Sequence, residues 1–179
     1  MTNQIIIVGF MGTGKTTLAR ELAQRLGCAA VDLDDLIMNN ERRSPKEIIE
    51  QNGENRFREI ETRMLREALL EGAARIVAVG GGAWTMAQNR KLIADNGAFT
   101  VWLDAPFELC WKRIEAGGKT RPLAHSRELA QELYRERQGI YELADARITV
   151  AESDNVEEIA SRIIRELRER TRAPMSDIS

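Results

Sequence analysis

The feature that most constrains this chain is a glycine-rich segment near its start. Residues 9–16 read GFMGTGKT, a complete match to the pattern G-x-x-x-x-G-K-[ST]. Glycines let backbone N–H groups turn inward around a phosphate, while the lysine bridges the outer phosphates and the threonine hydroxyl ligates Mg²⁺. The pattern therefore predicts an ATP site with Mg²⁺ as the cofactor and Lys15 as a catalytic residue. The predicted nucleotide contacts are Gly12, Thr13, Gly14, Lys15, Thr16 and Thr17.

The segments on both sides of this loop fit a nucleotide-binding role. Residues 4–8 read QIIIV, a β-branched run typical of a strand buried on both faces. Residues 16–26 repeat leucine at helical spacing, and Gly27 ends that predicted helix. Because the pattern binds phosphate when it lies between a buried strand and a helix, we favour this interpretation over a glycine-rich turn without a ligand.

The rest of the chain alternates predicted strands and helices. Further strands are expected at 29–32, 75–79, 99–103 and 147–150. This succession predicts one α/β domain over residues 1–170, a three-layer αβα sandwich around a parallel sheet. The polar segment 116–127 is predicted to be a mobile loop, and the tail 171–179 to be disordered.

Helix signals are clearest in the middle of the chain. Ser44 and Pro45 predict a helix start with Glu47 completing a capping box, and Gly53 predicts its end. A longer helix is expected to run to about residue 71, and another helix to lie between residues 80–82 and the strand at 99–103.

Composition excludes several classes of function. The net charge is −2, so no strong field draws the chain to nucleic acid or to an anionic membrane. Cys28, Cys110 and the single His125 have no metal-ligand spacing, which argues against a zinc site. The N-terminal residues have no basic region followed by a long apolar run, so we expect a cytoplasmic protein without membrane partners. We expect a monomer as well.

Acidic residues follow the second predicted strand. Asp32 and Asp34 come at its carboxyl end, where parallel sheets gather their ligands. Carboxylates there can hold Mg²⁺ and can orient an acceptor hydroxyl and take its proton. Capping of the next helix by either aspartate is the alternative, and it is compatible with function.

Several motifs together resemble those of the shikimate kinase family. The resemblance covers about residues 4–168. Beyond the phosphate loop it rests on Asp32-x-Asp34, Gly53-Glu54-x-x-Phe57-Arg58-x-x-Glu61, Gly80-Gly81-Gly82 and Arg121-Pro122-Leu123, in this order. It implies a five-stranded parallel sheet of order 2-3-1-4-5 with substrate-binding helices at about 33–62 and a lid at about 115–127. It also implies transfer of the ATP γ-phosphoryl group to the 3-hydroxyl of shikimate, with Mg²⁺.

The resemblance also implies roles for single residues. Thr16 and Asp32 would serve the metal, and Asp34 would hold and activate the substrate hydroxyl. The implied substrate contacts are Asp34, Arg58 (steadied by Glu61), Gly80, Gly81, Gly82 and Arg137, which stands four before Tyr141. Arg121, in the lid, would reach the transferring phosphate. Arg113, which precedes the lid, would stack on adenine.

The chain departs from the family pattern at four places. Arg43 stands where a glycine is usual, Ile49 where an aromatic residue is common, Ala124 where the lid has leucine, and Gly139 where proline is found. None of these changes removes a catalytic group, and they bear on the acceptor more than on the reaction.

Other interpretations remain open at this point. Gluconate is also a polyhydroxy carboxylate, so a gluconate kinase of the same fold is the first alternative. A nucleoside monophosphate kinase is less favoured because no base-binding segment is visible. A non-catalytic nucleotide-binding module is disfavoured because Lys15, Asp32 and Asp34 are all present. For single residues, Arg58 is alternatively a surface partner of Glu54 or Glu61, and Arg137 an exposed helix position.

Overall fold

Five strands form one parallel sheet, as the alternation of strands and helices predicts. The strands are β1 (Ile5–Val8), β2 (Ala30–Asp32), β3 (Ile76–Ala78), β4 (Phe99–Asp104) and β5 (Ala146–Thr149), each within one residue of its predicted limits. Their order is β2-β3-β1-β4-β5, which confirms the order implied by the resemblance. The computed structural model describes residues 4–70, 72, 74–117 and 126–172, except for the side chains of 171 and 172.

The central strand β1 is the most deeply buried part of the sheet. Each of its four residues is at most 1% exposed. It pairs in parallel with β3 on one side and β4 on the other, with Ile7 opposite Ala78 and Val101. A continuous β-branched run suits this position because helices cover both faces of the strand.

Helices flank the sheet. In the described part of the chain they are α1 (Lys15–Leu26), α2 (Leu33–Glu41), α3 (Pro45–Asn52), α4 (Glu54–Leu70), α5 (Gly81–Thr85), α6 (Ala87–Asp95), α7 (Phe107–Ala116), α8 (Arg127–Tyr141) and α9 (Val156–Arg172). α1 packs against α9, β2 and β3. α4 contacts α2, α3 and α6, and α8 contacts α5 and α7.

The start of α3 has the predicted capping box. The Ser44 hydroxyl accepts from the Glu47 backbone N–H at 3.2 Å, and the Glu47 carboxylate accepts from the Ser44 N–H at 2.7 Å. Pro45 fills the first helical position, where no backbone donor is needed. Gly53 ends the helix with a φ of 83°, as predicted.

The helices after β3 differ from the sequence expectation. Gly81 and Gly82 belong to the short helix α5, and extended Met86 separates α5 from α6, where one helix was predicted. The Thr85 hydroxyl donates to the Gly82 carbonyl at 2.7 Å, so a side chain satisfies a terminal carbonyl of α5.

Helices extend into both ends of the predicted loop and into the start of the predicted tail. α7 continues through Ala116 and α8 begins at Arg127, where Ser126 caps the helix, so both limits of the predicted loop are helical. α9 extends to Arg172, two residues into the predicted tail. Arg121, Ala124 and His125 lie outside the described residues, as does the tail from residue 173. No helix in the described ranges has the length and apolar character to cross a bilayer.

The strand order brings three functional segments together. β2, β3 and β1 are neighbours, and their carboxyl ends lead into Asp32-Leu33-Asp34, the triple glycine and the phosphate loop, respectively. Because parallel strands end at one edge of the sheet, residues far apart in sequence meet there.

Candidate active site

The phosphate loop depends on glycine at three positions. Gly9, Gly12 and Gly14 have φ values of 145°, 80° and 98°, which L side chains rarely adopt. A Cβ at Gly9 would lie 2.6 Å from the Leu103 carbonyl oxygen, and one at Gly12 would lie 2.5 Å from the Cys110 carbonyl oxygen. Both neighbours are backbone atoms, so larger residues would displace the loop from β4 and α7.

Side chains inside the loop hold its shape. The Thr13 hydroxyl is buried and donates to the Phe10 carbonyl at 2.9 Å. Lys15 Nζ donates to the carbonyls of Gly9 and Phe10, each at 2.9 Å. Gly14 precedes α1, and among the described residues no side chain caps this helix end. The first-turn N–H groups of α1 can therefore bind an anion, with support from the helix dipole.

Asp32 links α1 to the start of α2. Its Oδ2 accepts from the Thr16 hydroxyl at 2.5 Å, and its Oδ1 accepts from the Asp34 backbone N–H at 2.9 Å. Asp32 is therefore the N-cap of α2, as the alternative interpretation predicted. The same carboxylate also lies beside the phosphate loop, so capping and a functional position coincide.

Arg58 is held by two carboxylates on its own helix. Its guanidinium donates to Glu61 at 2.7 Å and to Glu54 at 3.0 Å, and it lies over the Phe57 ring at 5.2 Å. Both ion pairs of the alternative interpretation exist, but Arg58 is only 14% exposed and is therefore not a surface residue. Burial lowers the Arg58 pKa, Glu61 and Glu54 raise it, and the net direction is upward.

Glu61 is the most perturbed carboxyl group of the site. Its side chain is 1% exposed, and burial raises its pKa to about 7, although the Arg58 guanidinium acts in the opposite direction. The charge of Asp34 raises this pKa further, and Arg137 lowers it. These effects show that one electrostatic cluster joins α2, α4 and α8.

The triple glycine packs against this cluster. A Cβ at Gly82 would lie 2.5 Å from Arg58 Nη1. One at Gly80 would lie 3.3 Å from Glu61 Oε1 and 3.5 Å from Asp34 Oδ1. A Cβ at Gly82 would therefore displace the Arg58 guanidinium, whereas one at Gly80 would lie close to ordinary contact distance from the two carboxylates.

Arg137 reaches the same cluster from α8. It is 8% exposed, which excludes the exposed position that its sequence neighbours allowed. Its guanidinium lies 3.2 Å from the Cβ position of Gly81, next to the Tyr141 hydroxyl, which lies 2.7 Å from the same position.

Arg113 lies on the other side of the phosphate loop. Its Nη1 donates to the Thr13 carbonyl at 3.1 Å and to the Gly12 carbonyl at 3.4 Å. α7 thereby contacts the loop through a cation, next to the predicted nucleotide contacts.

One cavity of about 360 Å³ connects these groups. The sequence-predicted residues that line it are Gly12, Gly14, Lys15, Thr16, Thr17, Asp32, Asp34, Arg58, Gly80, Gly81, Gly82, Arg113 and Arg137. Thr13 is the exception within the described chain, because its side chain points into the protein instead. Arg121 lies outside the described residues.

The cavity also has walls that sequence reasoning did not assign to the site. Met11, Pro45, Phe57 and Val79 line it. From the sequence, Phe57 was expected only as part of the family motif, and Pro45 only as a helix start. Phe57 could have been assigned to the site because it directly precedes the predicted Arg58, and Pro45 because it follows the predicted acids. Nothing in the pattern distinguished Met11 or Val79.

Two of the family departures in the described chain lie away from the cavity lining. Arg43 donates to Gln51 at 3.2 Å and to Asn52 at 2.8 Å, both on α3. Gly139 is exposed, with nothing within 4 Å of its Cβ position. Ile49 is the departure that faces the site.

The comparisons with known proteins agree on one family. The family model described as Shikimate kinase matches residues 11–168. A shikimate kinase of Geobacter sulfurreducens is 40% identical over 168 residues, covering 92% of this chain and 91% of that protein. One from Persephonella marina is 35% identical over 164 residues, covering 92% and 98%, respectively.

A solved structure extends this similarity to three dimensions. Shikimate kinase from Acinetobacter baumannii in complex with shikimate superimposes with a TM-score of 0.85 at 31% identity, covering 97% of each chain.

Proposed function

Because the chain belongs to the shikimate kinase family, we propose that it transfers the γ-phosphoryl group of ATP to the 3-hydroxyl of shikimate. It is then an ATP-dependent phosphotransferase of aromatic amino-acid biosynthesis, on the route to chorismate. Its acceptor is a small ring acid with several hydroxyl groups. The site must therefore hold a carboxylate and present one hydroxyl to the nucleotide.

The observation that carries this proposal is the single cavity that joins the phosphate loop to two guanidinium groups. Arg58 from α4 and Arg137 from α8 line the same cavity as Lys15. Guanidinium groups bind carboxylates through charge-assisted, often bidentate hydrogen bonds, and they are less costly to desolvate than ammonium groups. We assign the two arginines to the acceptor carboxylate.

Asp34 is the residue that we assign to the acceptor hydroxyl. It lines the cavity together with both arginines and Lys15. Phosphoryl transfer proceeds through a loose transition state, so a carboxylate that orients the hydroxyl and accepts its proton is the main chemical group required. As the acceptor oxygen bonds to the γ-phosphorus, the bond from this phosphorus to the β,γ-bridging oxygen breaks and ADP leaves. The hydroxyl proton passes to Asp34, while Lys15 stabilises the charge on the phosphoryl oxygens.

At the nucleotide end, we assign the phosphates to the backbone of residues 12–17 and to the start of α1. Arg113 lies beside this loop and is assigned to the adenine ring, on which a guanidinium can stack. The catalytic role of Arg121 stays a prediction because this residue lies outside the described chain.

The donors at the start of α1 fit Mg²⁺. This ion prefers hard oxygen ligands and keeps several waters, so a hydroxyl, a nearby carboxylate and substrate phosphates are sufficient. The Thr16 hydroxyl and the Asp32 carboxylate are 2.5 Å apart, and both line the cavity. We assign the ion to these residues; when bound, it neutralises charge on the β- and γ-phosphates.

The walls of the cavity favour a ring acid over gluconate. Ile49, Phe57 and Met11 contribute apolar surface next to the two arginines. The carbon face of a cyclohexene ring can bury against such surface, whereas a linear polyol presents hydroxyl groups along its whole length. We also propose residues 33–62 as the acceptor-binding region, because Asp34, Ile49 and Arg58 come from it. Cytoplasmic location and a monomeric state stay predictions.

The test is ADP release with Mg-ATP and a panel of shikimate, quinate, gluconate and nucleoside monophosphates. We expect strong stimulation by shikimate and a product phosphorylated on its 3-hydroxyl, identified by ³¹P NMR. The methyl ester of shikimate is the matched control, since it keeps the hydroxyl groups but lacks the carboxylate, and its KM should be much higher. ATP binding without any shikimate-dependent ADP release would overturn the proposal and favour a non-catalytic nucleotide-binding module.

A further inference from the structure

Tyr141 is a buried residue at the end of α8 that contacts the proposed acceptor site from behind. Its side chain is fully buried. Its hydroxyl donates to the Gly81 carbonyl at 3.2 Å, and it borders the Cβ position of Gly81 together with the Arg137 guanidinium, at 2.7 and 3.2 Å, respectively. Arg137 and Tyr141 are four residues apart in one helix, so they lie on the same face, one turn from each other.

The two neighbours of the Tyr141 hydroxyl, the Arg137 guanidinium and the Gly81 carbonyl, suit a group that can both accept and donate hydrogen bonds. A guanidinium only donates hydrogen bonds, and a carbonyl only accepts them. A phenol can do both, because it donates its proton to the Gly81 carbonyl and keeps a lone pair that faces the neighbouring Arg137 guanidinium. Burial raises the pKa of Tyr141 to about 12, against the effect of Arg137, so the phenol keeps this proton at neutral pH.

The hydroxyl also determines the shape of the glycine turn. A Cβ at Gly81 would lie 2.7 Å from the Tyr141 oxygen, closer than carbon and oxygen can approach. A second contact between the same helices supports this arrangement, because Trp84 Nε1 of α5 donates to the Ile140 carbonyl of α8 at 2.8 Å. α5 and α8 are thus joined by two hydrogen bonds directly behind the cavity.

The ring and the hydroxyl of Tyr141 have separable roles. The ring stacks against Trp102 with centroids 6.0 Å apart, and phenylalanine would keep this packing. Packing alone therefore explains an aromatic residue at position 141, but it does not explain the hydroxyl.

We propose that Tyr141 is a positioning residue for the acceptor, whose hydroxyl holds the Arg137 guanidinium and the Gly81 turn in the relative position that binds the acceptor carboxylate. This inference rests on the proposed function. It adds a residue that does not contact the cavity itself and acts through two groups that do.

The test is Tyr141→Phe, which removes the hydroxyl and keeps the ring. We expect the KM for shikimate to rise roughly tenfold through the loss of the hydrogen bond to the Gly81 carbonyl and of the polar neighbour of Arg137, while the KM for ATP changes by less than about twofold. Tyr134→Phe is the matched control on the same helix. The Tyr134 hydroxyl donates to the Ala105 carbonyl at 3.0 Å, and Tyr134 does not line the cavity, so this variant should keep both KM values.

A double variant separates positioning from general loosening of the fold. In an Arg137→Ala background, Tyr141→Phe should raise the KM for shikimate by less than about threefold, because one of the two groups through which it acts is already absent. A full additive effect would contradict the proposal, as would an unchanged KM in Tyr141→Phe or equal changes for both substrates.

The wild-type chain decides whether a failure belongs to this inference or to the proposed function. If it phosphorylates a different acid, the same three variants are measured with that acid. The KM for that acid then tests the inference. If wild type releases no ADP with any acid of the panel, dissociation constants for shikimate replace KM, and an unchanged value in Tyr141→Phe refutes the inference.

Discussion

The buried carboxyl group of Glu61 makes a quantitative prediction for the pH dependence of stability. Burial raises its pKa from 4.5 to about 7 in the folded chain. Between these two values the folded state binds a proton that the unfolded state does not bind. The free energy of unfolding therefore falls as pH rises, by about 1.4 kcal/mol per pH unit over this window. The contribution of Glu61 is present below pH 4.5 and is lost as pH rises through 7.

Glu61→Gln removes this titration while keeping the shape of the side chain and one acceptor for Arg58. The wild-type free energy of unfolding should fall by about 3 kcal/mol more than that of the variant between pH 5 and pH 8. The assay is urea denaturation followed by tryptophan fluorescence at several pH values, with ΔG extrapolated to water. The variant loses a charged partner of Arg58, so its absolute stability at pH 8 also reports the worth of that pair.

Glu54→Gln is the matched control for this experiment. Glu54 pairs with the same guanidinium at 3.0 Å, but 48% of its side chain is exposed. An exposed ion pair contributes less than about 1 kcal/mol, so this variant should follow the wild-type curve. Parallel curves for wild type and Glu61→Gln across the whole range would refute the reasoning, because they would mean that Glu61 titrates alike in the folded and unfolded chain.

Three further predictions concern catalysis and binding. Asp34→Asn should abolish turnover while leaving ATP affinity nearly unchanged in equilibrium titrations, because the amide cannot accept the hydroxyl proton; near-normal turnover would remove Asp34 from this role. Arg58→Ala should raise the KM for shikimate roughly ten- to a hundredfold through loss of a charge-assisted contact, and an unchanged KM would exclude Arg58 from the acceptor site. Gly82→Ala should also raise that KM, since its Cβ would lie 2.5 Å from Arg58 Nη1, whereas Gly139→Ala, with open space around its Cβ position, should not; equal KM values in the two variants would count against the packing argument.

Much of the fold follows from signals that are local in sequence. The β-branched run of β1, the capping box of Ser44 and Glu47, and the glycine that ends α3 each act within a few residues, so their predicted positions agree with the structure. The strand order was implied by the family resemblance and is confirmed. The split between α5 and α6 was not predicted, because Met86 has no sequence signal for its extended conformation.

The candidate site was predictable as a set of residues but not as an arrangement. Each predicted residue in the described chain except Thr13 lines the cavity, yet the sequence left open whether Arg58 and Arg137 were surface positions. The structure decides this because burial depends on neighbours from other elements. Arg137 is enclosed by groups near residues 61, 81 and 141, and no local pattern specifies such contacts.

By itself, the sequence determined the phosphate loop, the class of fold and the type of chemistry, because a glycine backbone between a strand and a helix is a local property. The tertiary structure alone decided the environment of the acceptor site. The raised pKa of Glu61 requires burial and the nearby charge of Asp34 on α2, and the hydrogen bond from Tyr141 to Gly81 joins residues sixty positions apart. Contacts at such separation form only when the parallel sheet has brought the ends of β1, β2 and β3 to one edge.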